Sequence, residues 1–280
     1  MSIWSLERVI EACRGAAAIA LRYYDDPPME LKADLSVVTA ADKEIEAYLT
    51  GFLTAGNESF FIGEETFGTR GKEYIAVALK SDDCWVVDPI DGTAPYSCGF
   101  PAWGHSIALL EHGRAVEGAL YLPVQDRLLI TDGDTVWHYY DLRDPGKTRR
   151  EKFIFPASAG EDVRRPVALA QTYAKYRHVD LDNQVFCWSA CVAACYYLLT
   201  GKLLAYVAVV KLWDIAAMAA ILKRGEYVGV DSAGNLFDNC VDDTLYQLDT
   251  TQESAFKLLE PTCFAADSSI AEYIFSRIKG

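Results

Sequence analysis

The run Asp88-Pro89-Ile90-Asp91-Gly92-Thr93 places two carboxylates three positions apart, directly after the apolar stretch Cys84 to Val87. Proline biases Asp88 to an extended backbone and fixes its own φ, while Gly92 permits a reversal, so the strand is expected to end in a sharp turn. Side chains three apart on a straight strand point to opposite faces, so Asp88 and Asp91 converge only where the chain bends. Two carboxylates held that close repel, and a hard dication resolves the conflict. Backbone N–H groups at Gly92 and Thr93 would then face a phosphate oxygen.

Two further acidic segments could join this one. Phe61-Ile62-Gly63-Glu64-Glu65 puts adjacent carboxylates at a strand end, where one reaches a site and the other stays in solvent. Leu212-Trp213-Asp214-Ile215-Ala216-Ala217 opens a helix that stops at Gly225, with Asp214 at its start. Alone, each segment has an ordinary reading: a solvated Asp-Gly turn, an exposed acidic loop, a helix N-cap. Gathered, they make an all-oxygen donor set, which suits Mg²⁺ rather than zinc or copper.

The elements that must position these residues are legible as periodicities. Helical spacing runs over residues 5–24 and ends at Pro27-Pro28, and a second helix is expected over about 41–53. From Phe60 to about Tyr140, short β-branched and aromatic runs separated by Gly113 and Asp132-Gly133-Asp134 predict an antiparallel meander. Residues 141–166 are polar and rich in breakers, with a basic cluster from Lys147 to Lys152 that reads as a solvated loop. That stretch is the expected lobe boundary, giving an N-terminal α+β lobe, 1–145, and a C-terminal α/β lobe, 146–280. In the second lobe, strands at about 167–170, 185–187, 204–209 and 227–230 alternate with helices near Lys175 and over 189–199 and 214–223, which implies helices on a mixed sheet.

Composition bounds the function. The 280 residues are 51% hydrophobic and 24% charged, an ordinary globular balance, and the net charge is -14. A polyanion lacks the footprint for nucleic acid and is repelled by an anionic membrane, so neither is an expected partner. No basic leader precedes an apolar run, and no apolar run approaches the roughly 20 residues of a membrane span, so a cytoplasmic protein is expected. The eight cysteines form no CxxC pair and read mostly as buried apolar residues. Cys187, Cys191 and Cys195, if on one helix, put the outer two about 12 Å apart, too far to share one zinc. His105, His112, His138 and His178 show no paired spacing and receive no role.

Together, Glu64-Glu65 after Gly63, the Asp88 to Thr93 segment and Trp213-Asp214 resemble the three signature segments of the inositol monophosphatase superfamily, in order and with similar separations. Val38-Thr39-Ala40-Ala41-Asp42 is similar to the family's threonine-x-x-aspartate segment. Gly99-Phe100-Pro101 and Ser106-Ile107-Ala108-Leu109 extend the likeness over nearly the whole chain. The resemblance implies a layered αβαβα sandwich of the fructose-1,6-bisphosphatase type, commonly a homodimer. It implies hydrolysis of a small phosphate monoester with two or three Mg²⁺ ions, often inhibited by lithium. By residue, it implies metal binding by Glu64, Asp88, the Ile90 carbonyl, Asp91 and Asp214. Thr93 and Glu64 would orient the attacking water, with Asp42 nearby; Asp91, Gly92, Thr93, Ser189, Ala190 and Asp214 would line the substrate pocket. One metal would make hydroxide from bound water while its neighbour stabilises the leaving oxygen.

Three positions depart from the inositol-specific pattern. Val207 stands where those members carry a glutamate that contacts substrate hydroxyls, Trp188 opens the segment that is glycine-serine-alanine in relatives, and Pro95 replaces an asparagine. An apolar Val207 cannot accept hydroxyl hydrogen bonds, which argues against myo-inositol 1-phosphate, and Trp188 offers a stacking face. A sugar bisphosphate, histidinol phosphate or adenosine 3′,5′-bisphosphate remain alternatives, as does a catalytically silent relative serving as a metal-dependent binding or scaffold protein.

Overall fold

A computed structural model describes residues 3–31, 37–252 and 254–279. The chain starts with α1 (Leu6–Tyr23), whose first turn is capped by the Ser5 hydroxyl accepting the Arg8 N–H. A small ladder of β1 (Met29–Leu31) and β2 (Val37–Thr39) leads into α2 (Ala40–Leu53). Thr39 and Asp42 close a reciprocal cap at the start of α2, which buries Asp42.

The first sheet has seven strands in chain order: β3 (Phe60–Gly63), β4 (Cys84–Asp91), β5 (Gly104–Glu111), β6 (Arg114–Leu122), β7 (Arg127–Asp132), β8 (Thr135–Tyr140) and β9 (Arg149–Lys152). Only β3 and β4 pair in parallel, with α3 (Lys72–Ala78) between them; from β4 onward the strands form the expected antiparallel meander. The strand β9 corrects the reading of Lys147 to Lys152 as a loop. Its residues Arg149 to Lys152 are all exposed and all charged, which suits a sheet edge that must not recruit another strand.

The second sheet is mixed, in the order β12 (Val185–Phe186), β10 (Val167–Leu169), β13 (Ala205–Ala208), β15 (Thr262–Ala265), β14 (Val228–Asp231). A two-residue ladder pairs β11 (His178–Val179) with β16 (Ile278–Lys279). Short helices α4 (Thr93–Ser97) and α5 (Gln171–Tyr176) follow β4 and β10. The longer helices are α6 (Cys191–Leu199), α7 (Leu212–Leu222) and α8 (Ser268–Ser276).

Period-two alternation sorts the strands' side chains into layers. In β4, Trp85 and Val87 pack with α1 and α2, while Cys84 and Val86 pack with α6 and α7 on the opposite face. In β13, Tyr206 and Ala208 meet the same central helices, while Ala205 and Val207 turn outward to α8. The result is helix, sheet, helix, sheet, helix, the expected αβαβα sandwich. The central helices are apolar all round because both faces are covered, as α7 shows with every residue but Asp214 buried. Close approach here depends on Gly118 of β6: a Cβ there would lie 2.3 Å from the Ala217 carbonyl of α7. No described helix is long and apolar enough to cross a membrane.

Candidate active site

The hexapeptide does not end its strand. β4 continues to Asp91, but its pairing with β5 slips: Asp88 lies opposite Ser106 and Asp91 opposite Gly104, so three steps on β4 answer two on β5. This is a β-bulge, and it supplies the bend that brings Asp88 and Asp91 to one side. His105 of β5 braces it by sharing a hydrogen bond between Nδ1 and the Pro89 carbonyl. Burial lowers the His105 pKa to about 4, so Nδ1 carries the only proton and donates it. Gly92 follows in the left-handed region at φ 89°, and Thr93 opens α4.

Asp214 arrives on α7, which packs on β4, β5 and β6 of the same sheet. It is the third helical residue rather than the N-cap, and its Oδ2 reaches back to accept the Lys211 backbone N–H at 2.9 Å. Ser106 anchors this helix by donating to the Trp213 carbonyl at 2.7 Å. Among the described residues, Asp88, Asp91 and Asp214 form a group in which one carboxylate oxygen from each lies within 4.8 Å of the other two. Burial raises Asp88 and Asp91 well above the usual carboxylate range and Asp214 to about 6; neighbouring carboxylates add to it, the other two and Glu64 for Asp88, Asp214 and Glu64 for Asp91, and Glu64 for Asp214. Asp88 Oδ1 is buried with no hydrogen-bond partner. Clustered oxygens that repel one another and leave one buried acceptor orphaned fit a divalent cation.

Glu64 stands just outside that trio. It follows β3, half-buried, with its backbone N–H on the Val87 carbonyl, and its charge raises the carboxyls of Asp88, Asp91, Asp214 and Asp42. Glu65 is half-buried as well, not turned out to solvent as the alternation of a strand implies, because β3 stops at Gly63. Its N–H donates to Glu46 of α2 at 2.8 Å. Glu46 lies one turn after Asp42 on the buried face of α2, and burial pushes its carboxyl up. It fills the space where a Cβ on Gly63 would sit, 2.4 Å from its carboxyl carbon. Asp42 completes the group: its Oδ1 lies 3.1 Å from the Thr93 hydroxyl, which is also 3.1 Å from the Ile90 carbonyl. Burial raises Asp42 to about 6.

The helix α6 supplies a part that sequence reasoning missed. Its first-turn N–H at Val192 donates to Asp91 Oδ2, a charge-assisted bond to the positive end of the helix. Ser189, just before it, takes the left-handed conformation at φ 53°, unusual for a residue with a Cβ. Ala190 then packs on the motif turn, where a Cβ on Gly92 would fall 2.7 Å from its own. A cavity of about 170 Å³ opens here, with Asp91, Asp214, Trp188, Ser189 and Ala190 in its walls. A larger cleft of about 670 Å³ between β8, β9 and α6 contains none of the clustered carboxylates, so the candidate chemistry belongs to the smaller one.

A family profile described as the inositol monophosphatase family matches residues 5–265. The chain belongs to that family. Among curated relatives, the uncharacterized protein y4fL of Sinorhizobium fredii is 26% identical over 68% of this chain, and the match spans 64% of that protein's own length. Inositol monophosphatase 2 of Solanum lycopersicum is 26% identical over 82% of this chain and 88% of its own. A solved IMPase/NADP phosphatase, complexed with Mg²⁺ and phosphate, superposes with a TM-score of 0.66 at 16% identity, covering 94% of this chain and 90% of its own.

Two positions that depart from the inositol-specific pattern sit differently with respect to the cavity of this inositol monophosphatase family member. Val207, seven residues before Asp214, is buried against the outer helical layer and does not line the cavity; Tyr206 does. Trp188 lines the cavity and stacks on Phe186. Cys187 is exposed and precedes α6, while Cys191 and Cys195 are buried within it, sulfurs 3.5 Å apart. Pro95 is buried in α4, directly beside the Gly92 turn.

Proposed function

We propose that this chain is a Mg²⁺-dependent phosphomonoesterase that hydrolyses a small phosphorylated metabolite. Glu64, Asp88, the Ile90 carbonyl, Asp91 and Asp214 would hold the ions, two or three of them. When bound, Mg²⁺ supplies hydroxide near neutral pH and offsets charge on the departing oxygen. The Thr93 hydroxyl would donate its hydrogen bond to Asp42, which leaves its oxygen lone pairs to accept a hydrogen bond from the attacking water. Glu64, across the site, would take the water's other hydrogen bond and fix its approach. The backbone N–H groups of Gly92 and Thr93 would receive the phosphate oxygens, and Ser189 and Ala190 the alcohol side. Water adds to phosphorus as the ester P–O bond breaks, and the products are an alcohol and inorganic phosphate. No side-chain nucleophile is needed.

The observation that carries this reading is the trio of clustered carboxylates, Asp88 and Asp91 buried and Asp214 half-buried, with Asp88 Oδ1 left without a partner. In a chain of net charge -14, bound cations also provide the local field that an anionic substrate requires. The relative complexed with Mg²⁺ and phosphate supports the same ligand pair.

The test is phosphate release from inositol phosphates, fructose 1,6-bisphosphate, histidinol phosphate and adenosine 3′,5′-bisphosphate, with Mg²⁺ and with EDTA. Turnover of at least one ester that EDTA abolishes is expected. Mg²⁺ binding without hydrolysis of any would favour a silent binding protein instead.

A further inference from the structure

Beyond the carboxylates, most side chains in the walls of the active cavity are apolar. Ala168, Leu169, Ala170, Val209 and Val210 contribute no side-chain donor or acceptor, and the Tyr206 hydroxyl is directed to the Cys191 thiol. Gln171, Ser189 and the indole N–H of Trp188 are the remaining uncharged hydrogen-bonding groups among the wall's side chains, and Gln171 is exposed. The position expected to contact substrate hydroxyls, Val207, faces the opposite layer.

Trp188 gives this pocket its character. It is half-buried in the cavity wall and rests on Phe186, ring centroids 5.2 Å apart and planes 24° from parallel, while Tyr197 supports it at 5.3 Å. Phe186 is itself 37% exposed. Three rings in contact make a stiff shelf, and a stiff aromatic face loses little freedom when another ring stacks on it.

We propose, resting on the phosphatase reading above, that the preferred substrate is the phosphate ester of an alcohol bearing a flat aromatic or heteroaromatic ring, seated on Trp188, rather than a polyol phosphate. A polyol entering this pocket gives up water at each hydroxyl and finds few partners, which lowers kcat/KM on the order of tenfold for each hydroxyl left unpaired. A ring gives up nothing comparable and gains the stacking contact. The bond changes are those already described, with the leaving alkoxide taking the water's proton.

Benzyl phosphate and glycerol 2-phosphate test this, because both release aliphatic alcohols and differ in the ring and the hydroxyls. The quantity to read is the ratio of their kcat/KM values in Mg²⁺, from which the fraction of active enzyme cancels. The wild type is expected to favour benzyl phosphate by about tenfold or more. Trp188→Ala should lower that ratio about tenfold, through KM for benzyl phosphate, and Trp188→Phe should lower it less than about threefold. A wild-type ratio at or below one, or a ratio that Trp188→Ala leaves unchanged, overturns the proposal while leaving the phosphatase reading standing. Hydrolysis of neither ester, nor of any other phosphate monoester, overturns both.

Discussion

The carboxylate of Asp91 accepts the backbone N–H of Val192, a residue 101 positions later in the chain and in the first turn of α6. One bond therefore ties the bulged strand of the first sheet to a helix that the second sheet covers from behind. It also commits one Asp91 oxygen, leaving the other for a cation. Asp91→Asn keeps the size of the side chain and an acceptor for Val192, but removes the charge. It should lower Mg²⁺-dependent turnover by about a thousandfold or more. In EDTA the same variant should melt higher than the wild type, because one of three clustered, repelling carboxylates is gone. Thermal melts with and without Mg²⁺ check both signs, and a lower melting point in EDTA counts against the repulsion.

At Gly92 the backbone and the packing impose the same demand. Its φ of 89° disfavours any side chain, and an added Cβ would meet Ala190 and the Ala102 carbonyl. Gly92→Ala should cost about 1–3 kcal/mol in urea unfolding from strain, with further loss from displacing α6. Turnover should fall with it. An unchanged urea midpoint would mean the turn relaxes freely.

Thr93→Val removes the hydroxyl that joins Asp42 to the Ile90 carbonyl while keeping the shape of the side chain. A fall in kcat of about a hundredfold or more at nearly constant KM is expected, with Thr93→Ser recovering most of it. Equal loss in both variants would point to packing instead of the hydroxyl.

His138 offers a pH test away from the carboxylates. The Tyr196 hydroxyl lies 3.0 Å from its Nε2, its Nδ1–H donates to the Tyr140 hydroxyl, and Tyr140 donates in turn to Glu151, an arrangement that the neutral ring satisfies. Burial lowers its pKa to about 4. Because the folded value lies below the unfolded one, the unfolded chain binds more protons in between. Stability from this residue is thus complete above about pH 6.5 and is lost as pH falls towards 4. Urea midpoints across that window should decline less steeply in His138→Gln than in the wild type, and parallel slopes would contradict the neutral ring.

Three acidic segments were readable because carboxylates at strand and helix ends stand out against apolar neighbours, while Asp42 entered only through the family resemblance. Asp88, Asp91 and Asp214 do meet, and Glu64 and Asp42 flank them. The way they meet was less visible. Proline and glycine in the hexapeptide signalled a bend, but a bulge and a strand-ending turn share that signal, and only the pairing with β5 separates them. Glu46 carried a faint mark, lying four residues after Asp42 on one face of α2. His105 and the Val192 N–H carried none, since each acts through backbone groups brought close by the fold. Likewise β9 was hidden because an edge strand of Arg and Lys has the composition of a loop. Val207 sat at the expected spacing from Asp214, yet the pleat of β13 turned it outward and gave the cavity to Tyr206.

The central claim is that Asp88, Asp91 and Asp214 together grip a divalent cation. Crystals grown with Mn²⁺ and measured at an X-ray energy where manganese scatters anomalously address it directly. An anomalous peak within about 2–2.5 Å of an oxygen from each of the three carboxylates is predicted. It should vanish in Asp214→Asn crystals grown alongside. No peak at that position, in protein that still releases phosphate when Mn²⁺ is supplied, would contradict the account.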